Sequence, residues 1–180
     1  MAATVIINRW TSTAASPTKS AITSINTRAN AYDGHSTADT TYPIAIPDAG
    51  TNYSYGVSTR LSISANTGAN TIDNILWYSD GADGFGTGVT AKVAAGNNYD
   101  QAEGTEGTSG TELTTGSNTG LAASPSDAFA YTSTGTLSLT GSTTGTGDIG
   151  QFAVWQIGVG TGASVGATSS ETFTFAYDES

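Results

Sequence analysis

Near the end of the chain apolar and polar side chains alternate: Phe173, Phe175 and Tyr177 point one way, Thr172, Thr174 and Ala176 the other. A period of two marks a half-buried strand. The same period runs through Val57, Thr59, Leu61 and Ile63, with Ser58, Arg60, Ser62 and Ser64 opposite, and predicts a strand with its polar side to water. Residues 71–78 (TIDNILWY) place Ile75 and Trp77 on one side and Ile72, Leu76 and Tyr78 on the other, which predicts a central strand covered on both faces. Residues 152–159 (FAVWQIGV) read the same way, and these two segments are the expected middle of the core.

Shorter strands are expected at residues 89–93, 113–115, 128–132 and 137–140, each bounded by Gly, Asn or Ser. Only residues 21–31 hint at a helix, of one or two turns, with Ile22, Ile25 and Ala29 at helical offsets behind Pro17 and Thr18. Short connections favour antiparallel pairing, because parallel strands need crossovers of a dozen or more residues. The pattern therefore predicts an all-β fold, a single antiparallel β-sandwich of jelly-roll or immunoglobulin-like type over residues 48–180. Residues 1–47 predict an extended N-terminal arm and lead-in segment: one apolar cluster, Val5, Ile6, Ile7 and Trp10, then a polar stretch closed by Tyr42-Pro43-Ile44-Ala45-Ile46-Pro47. Residues 96–124, rich in Gly and Thr and carrying Asp100, Glu103, Glu106 and Glu112, predict a long surface excursion or flexible hairpin.

Composition narrows the function classes. The hydrophobic fraction is 37%, with 3 Trp, 8 Tyr and 5 Phe, enough for a lean core and against disorder. The polar remainder is short and uncharged, which suits strand faces and turns better than helix surfaces. With 5 Lys+Arg against 15 Asp+Glu the net charge is −10. Displacing counterions from phosphates needs cations, so a nucleic-acid partner is excluded, and an anionic lipid surface is disfavoured on the same ground. The absence of Cys removes disulfides, thiol catalysis and thiolate metal sites. The opening MAATVIINRW has no basic region followed by a long apolar stretch, and no apolar run approaches the ~18 residues of a membrane span. A product made in a cytoplasm, with no membrane partner, is the expectation.

Candidate chemistry is sparse. The one imidazole, His35, lies in Asp33-Gly34-His35-Ser36 near Asp39, a turn-like setting in which a Ser/His/Asp relay competes with a plain solvated loop histidine. Gly84-Phe85-Gly86-Thr87-Gly88 lacks the Lys of a phosphate loop and the helix of a dinucleotide fold, and reads as a turn. Asp80-Gly81-Ala82-Asp83-Gly84 aims two carboxylates from one tight loop, so Asp80 and Asp83 are candidate calcium ligands; Asp-Gly is equally a hairpin-turn signal. No other cofactor is expected. Tyr53, Tyr55, Trp77, Tyr78 and Trp155 offer a sugar-stacking platform if several are exposed on one face, against which stands their use as core. Val5, Ile6, Ile7 and Trp10 read either as a first sandwich strand or as an edge-adding arm that pairs with a partner.

Taken whole, the Thr/Ser/Gly/Ala-dominated strands, the segment Asn74-Ile75-Leu76-Trp77-Tyr78-Ser79-Asp80-Gly81 and the closing Thr172-Phe173-Thr174-Phe175-Ala176-Tyr177-Asp178 resemble the small β-structured virion proteins of tailed bacteriophages, most of all capsid decoration (cement) proteins and related head or tail accessory proteins. The resemblance is one of composition over nearly the full chain. It implies a non-enzymatic structural protein on the outer capsid surface of a virion, made in the host cytoplasm, with the major capsid protein and further copies of itself, a trimer, as partners. Two alternatives come from other classes: a carbohydrate-binding or adhesive module of a phage tail or cell surface, and a secreted hydrolase.

Overall fold

A computed structural model describes residues 1–23, 25–35, 41–166 and 168–180. Among these the chain is all-β, with antiparallel sheets. The strands are β1 (Thr4–Thr11), β2 (Thr18–Ala21), β3 (Thr51–Tyr53), β4 (Val57–Ala65), β5 (Ile72–Tyr78), β6 (Val89–Gly96), β7 (Gly104–Thr105), β8 (Ser109–Gly110), β9 (Ser126–Asp127), β10 (Leu137–Ser138), β11 (Gly147–Gly160) and β12 (Thr174–Glu179). β11 is the spine of the larger sheet. One of its edges is shared by β4 and then β3, the other is held by β6; β1 and β2 continue beyond β4, β8 and β7 beyond β3, and β9 beyond β6. A second sheet has the order β10-β5-β12.

Both sheets share one apolar cluster. Val57, Leu61 and Ile63 of β4, Trp155, Ile157 and Val159 of β11, and Val89, Ala91 and Val93 of β6 lie in it with Ile72, Ile75 and Trp77 of β5, joined by Leu139, Phe129 and the half-buried Phe173, Phe175 and Tyr177. Strand parity accounts for this membership: Val57, Leu61 and Ile63, and Phe173, Phe175 and Tyr177, lie on the core side as expected. β5 departs from it. Asn74 takes φ +45, and the pairing with β12 shifts between Ala176 and Asp178. The irregularity turns Ile72 to the same side as Ile75 and Trp77, so the expected two-sided cover of this strand is replaced by one buried face, with Leu76 and Tyr78 half exposed.

The other face of β11 carries Phe152 and Val154, packed with Leu113, Trp10, Tyr99 and Leu121. Residues 96–124, expected as a surface excursion or flexible hairpin, are tied down: Gly96 ends β6, and the rest pairs β8 with β3 and lays Tyr99, Leu113 and Leu121 over the large sheet. At about 1.5–3 kcal/mol per buried large apolar side chain this second cluster stabilises far less than the first. Polar ties add to it. Gln156, 2% exposed, donates to the carbonyls of Ser54 and Thr111 at 2.8 Å each and accepts from Leu113 N at 2.7 Å. The face of β4 expected to meet water is also covered: Ser58 and Ser62 are buried, and Arg60 lies over the Phe152 ring while its Nε donates to Gly150 O at 2.7 Å.

Three other expectations change. Residues 21–31 form no helix among those described, because their carbonyls turn to distant donors: Arg28 O accepts from Arg9 and Asn30 O from Tyr55 N. Residues 113–115 are not a strand; Leu113 N is taken by the Gln156 side chain. Residues 128–130 form a 3-10 turn capped by Asp127, whose carboxylate accepts from Phe129 N. The lead-in strand β1 lies inside the sheet, between β4 and β2.

Candidate functional site

β1 sets up a buried polar cluster. Its inward parity runs Val5, Ile7, Arg9, Thr11, so a guanidinium is driven in on the side of the aliphatic residues, opposite Thr59 of β4. Arg9 is 1% exposed. The backbone of residues 27–35 crosses this end of the sheet and supplies acceptors: Arg9 Nη1 donates to Thr27 Oγ1 at 2.8 Å and to Arg28 O at 2.6 Å. Thr27 Oγ1 lies 3.1 Å from His35 Nδ1. Arginine can only donate, so the threonine oxygen accepts from it, and its second lone pair or its hydrogen meets Nδ1 according to the imidazole tautomer. Burial and the Arg9 charge both lower the His35 pKa. Burial lowers Arg9 itself to about 10, against the opposing pull of Asp33, so it stays charged near neutrality.

Asp33 stands close by without a direct ion pair. Its Oδ2 accepts from Ser12 N at 3.0 Å and from Gln101 Nε2 at 3.1 Å, and burial raises its pKa more than these bonds and Arg9 lower it. Ser12 takes φ +72 at the end of β1, and its carbonyl accepts from Tyr99 Oη at 2.7 Å. The cluster therefore ties together the end of β1, residues 27–35 and residues 99–101. A hydroxyl against an imidazole is half of a nucleophile–base pair, yet among the described residues no carboxylate is hydrogen-bonded to His35, and Ser36 and Asp39 lie outside those residues.

The candidate calcium ligands sit in a loop between β5 and β6. Asp80 Oδ1 accepts from Ala82 N at 2.9 Å and Asp83 Oδ1 from Phe85 N at 3.1 Å, so each carboxylate closes its own turn. Glu171 approaches from the chain before β12, accepting from Gly84 N; burial and the charges of Asp80 and Asp83 raise its pKa. Among the described residues no group of three His, Cys, Asp or Glu is arranged to hold one metal ion.

The aromatic candidates separate. Trp77, Trp155 and Tyr55 are buried, the first two within the main cluster, which removes them as a stacking platform. Tyr53 and Tyr78 remain half exposed on different sheets. A polar open groove of about 690 Å³ is lined by Tyr55, Gln101, Glu103, Thr105 and Ser109 among others. Of the N-terminal cluster, Val5 and Ile7 pack on the main core, Trp10 meets Phe152 edge-on at 5.0 Å, and Ile7 bonds through its backbone to Ile22 and Thr23. Arg9 and Gln156 were not singled out from the sequence. For Arg9 the signal is present, since it shares the parity of Val5 and Ile7; for Gln156 it is a lone amide inside FAVWQIGV.

Compared with known proteins, the chain matches no family model, no curated protein and no solved structure.

Proposed function

We propose that the protein is a non-enzymatic virion structural protein, a decoration protein that binds the outside of a phage capsid and stabilises the shell, and that its two sheets form a jelly-roll or immunoglobulin-like sandwich. The observation that supports this most is where the cations go. Arg9 is buried, Arg60 is half-buried over Phe152, and Lys19 and Lys92 pair with Asp148 and Glu112 at 2.6 and 2.8 Å. With 15 acids against these few cations, the outward field is negative over a surface of short polar side chains. Such a surface orders few long side chains on docking, which lowers the entropic cost of a large interface.

The mechanism is linkage. A body that binds the assembled shell and not its dissociated subunits raises the apparent stability of the shell by mass action. The major capsid protein and further copies of this chain, a trimer, are the partners this reading implies, with the outer capsid surface as the location. Titrating the purified protein onto undecorated capsids tests it. Saturable, stoichiometric occupancy supports decoration; no binding at micromolar concentration, together with reproducible binding to defined sugars on a glycan array, replaces it with the adhesive reading.

A further inference from the structure

The Arg9 guanidinium is used on one side only. Nη1 is taken by Thr27 Oγ1 and Arg28 O, while Nε and Nη2 are buried with no acceptor among the described residues. These two atoms form the edge of the guanidinium whose N–H bonds run parallel, the edge that matches the two oxygens of a carboxylate. Asn30 Nδ2, a third buried donor without an acceptor, belongs to the same crossing segment, two residues beyond the carbonyl that holds Nη1. Asn30 is itself 6% exposed and pinned through its carbonyl to Tyr55 N at 2.8 Å.

We propose that Arg9 and Asn30 form a buried site for a small two-oxygen anion of the formate, acetate or nitrate class, retained as a structural ion. Donors alone would be met by water, but charge would not. The two ion pairs among the described residues involve Lys19 and Lys92, Asp33 spends its Oδ2 on Ser12 and Gln101, and His35 can bring no negative charge. Asp33 acts on Arg9 through space without touching it, and a buried cation without a contacting anion is costly, whereas one planar anion supplies two acceptors to the guanidinium edge, a third to Asn30, and a charge in contact. Because the site is closed, the anion enters as residues 27–35 dock on β1 during folding. The other charged or titratable groups that face Arg9 are Asp33 and Tyr99.

The test is refolding of the full chain at constant ionic strength in chloride alone or with added formate, acetate or nitrate. Melting temperature is followed together with the Arg9 Nε–Hε resonance. The expected result is a saturable rise in melting temperature with the two-oxygen anions and a matching shift of Nε–Hε. Asn30→Ala should weaken the apparent affinity roughly tenfold, the loss of one hydrogen bond to a charged group. Arg9→Lys, which keeps the charge and loses the parallel edge, should abolish the anion-dependent rise. Equal melting in all anions with an unmoved Nε–Hε overturns the proposal, and so does an anion-dependent rise that persists unchanged in both variants.

Discussion

Gln156 and Leu113 are joined by a 2.7 Å hydrogen bond from the Leu113 amide to Gln156 Oε1, across forty-three residues and the floor of the second apolar cluster. With the bonds to Ser54 O and Thr111 O both donors of the amide are used as well. Gln156→Leu keeps the volume and leaves three backbone groups without their partner. At 1–3 kcal/mol for each buried group left unpaired and with partial relaxation, a loss of about 2–4 kcal/mol is expected. For a chain of this length that is a fall in melting temperature of roughly 5–15 °C. Hydrogen exchange of the Leu113 amide should rise in the same variant; unchanged protection there would contradict the clamp.

Gly150 lies in the irregularity of β11, where the pairing with β4 shifts between Ile149 and Ala153. Its φ is +73, and an added Cβ would come 2.6 Å from Ile75 Cδ1. Gly150→Ala combines left-handed backbone strain with a contact that Ile75 must yield to, at a cost of about 1–3 kcal/mol. Gly135→Ala, which meets nothing within 4 Å, is the control and should melt like the parent. Equal destabilisation by both would contradict the account of the bulge.

These two sites also mark what the sequence could and could not tell. Alternation in β4 and β12 was legible because each residue's side follows from parity alone. Parity fails where the chain inserts a single residue: Asn74 resets the count and Ile72 changes sides as a result, whereas the irregularity at Gly150 leaves Ile149 in phase with Ala153 and Trp155. The cover over Phe152 and Val154 was illegible for another reason. Residues 97–124 have the composition of a loop, and what fixes them is a handful of polar ties to distant residues, Gln156 and Ser12 among them, that no local pattern encodes. The buried cluster stood between these cases, with Arg9 on the core side of its strand and its partners 18 and 19 residues away.

The two titrating members of that cluster act in opposite directions. Folding lowers the His35 pKa from 6.5, so its contribution is present above pH 6.5 and is lost as pH falls through the folded value. Folding raises the Asp33 pKa from 3.8, so its contribution is present below pH 3.8 and is lost as pH rises through the folded value. Arg9 faces both. His35→Gln should therefore flatten the loss of stability seen in the parent on going from pH 6.5 towards about pH 5, measured by denaturant unfolding. A parent and variant with the same slope in that window would contradict the lowered pKa of His35.

Asp80 and Asp83 each accept from a backbone amide of their own loop. Their expected role is turn closure, so melting with excess calcium and with chelator should agree within about 1 °C, a difference of well under 1 kcal/mol. Asp83→Ala should cost about 0.5–1.5 kcal/mol in either condition, the value of one such hydrogen bond. A saturable rise with calcium that disappears in Asp83→Ala would make the loop a cation site.

The central claim is that this protein works by being bound to a shell, and its position on purified phage particles tests that most directly. Electron microscopy of the particles is expected to show it repeated at equivalent positions on the outer capsid lattice, with all-β density that accepts both sheets. Density confined to a fibre tip, or particles that carry no copy of the chain, would contradict the account.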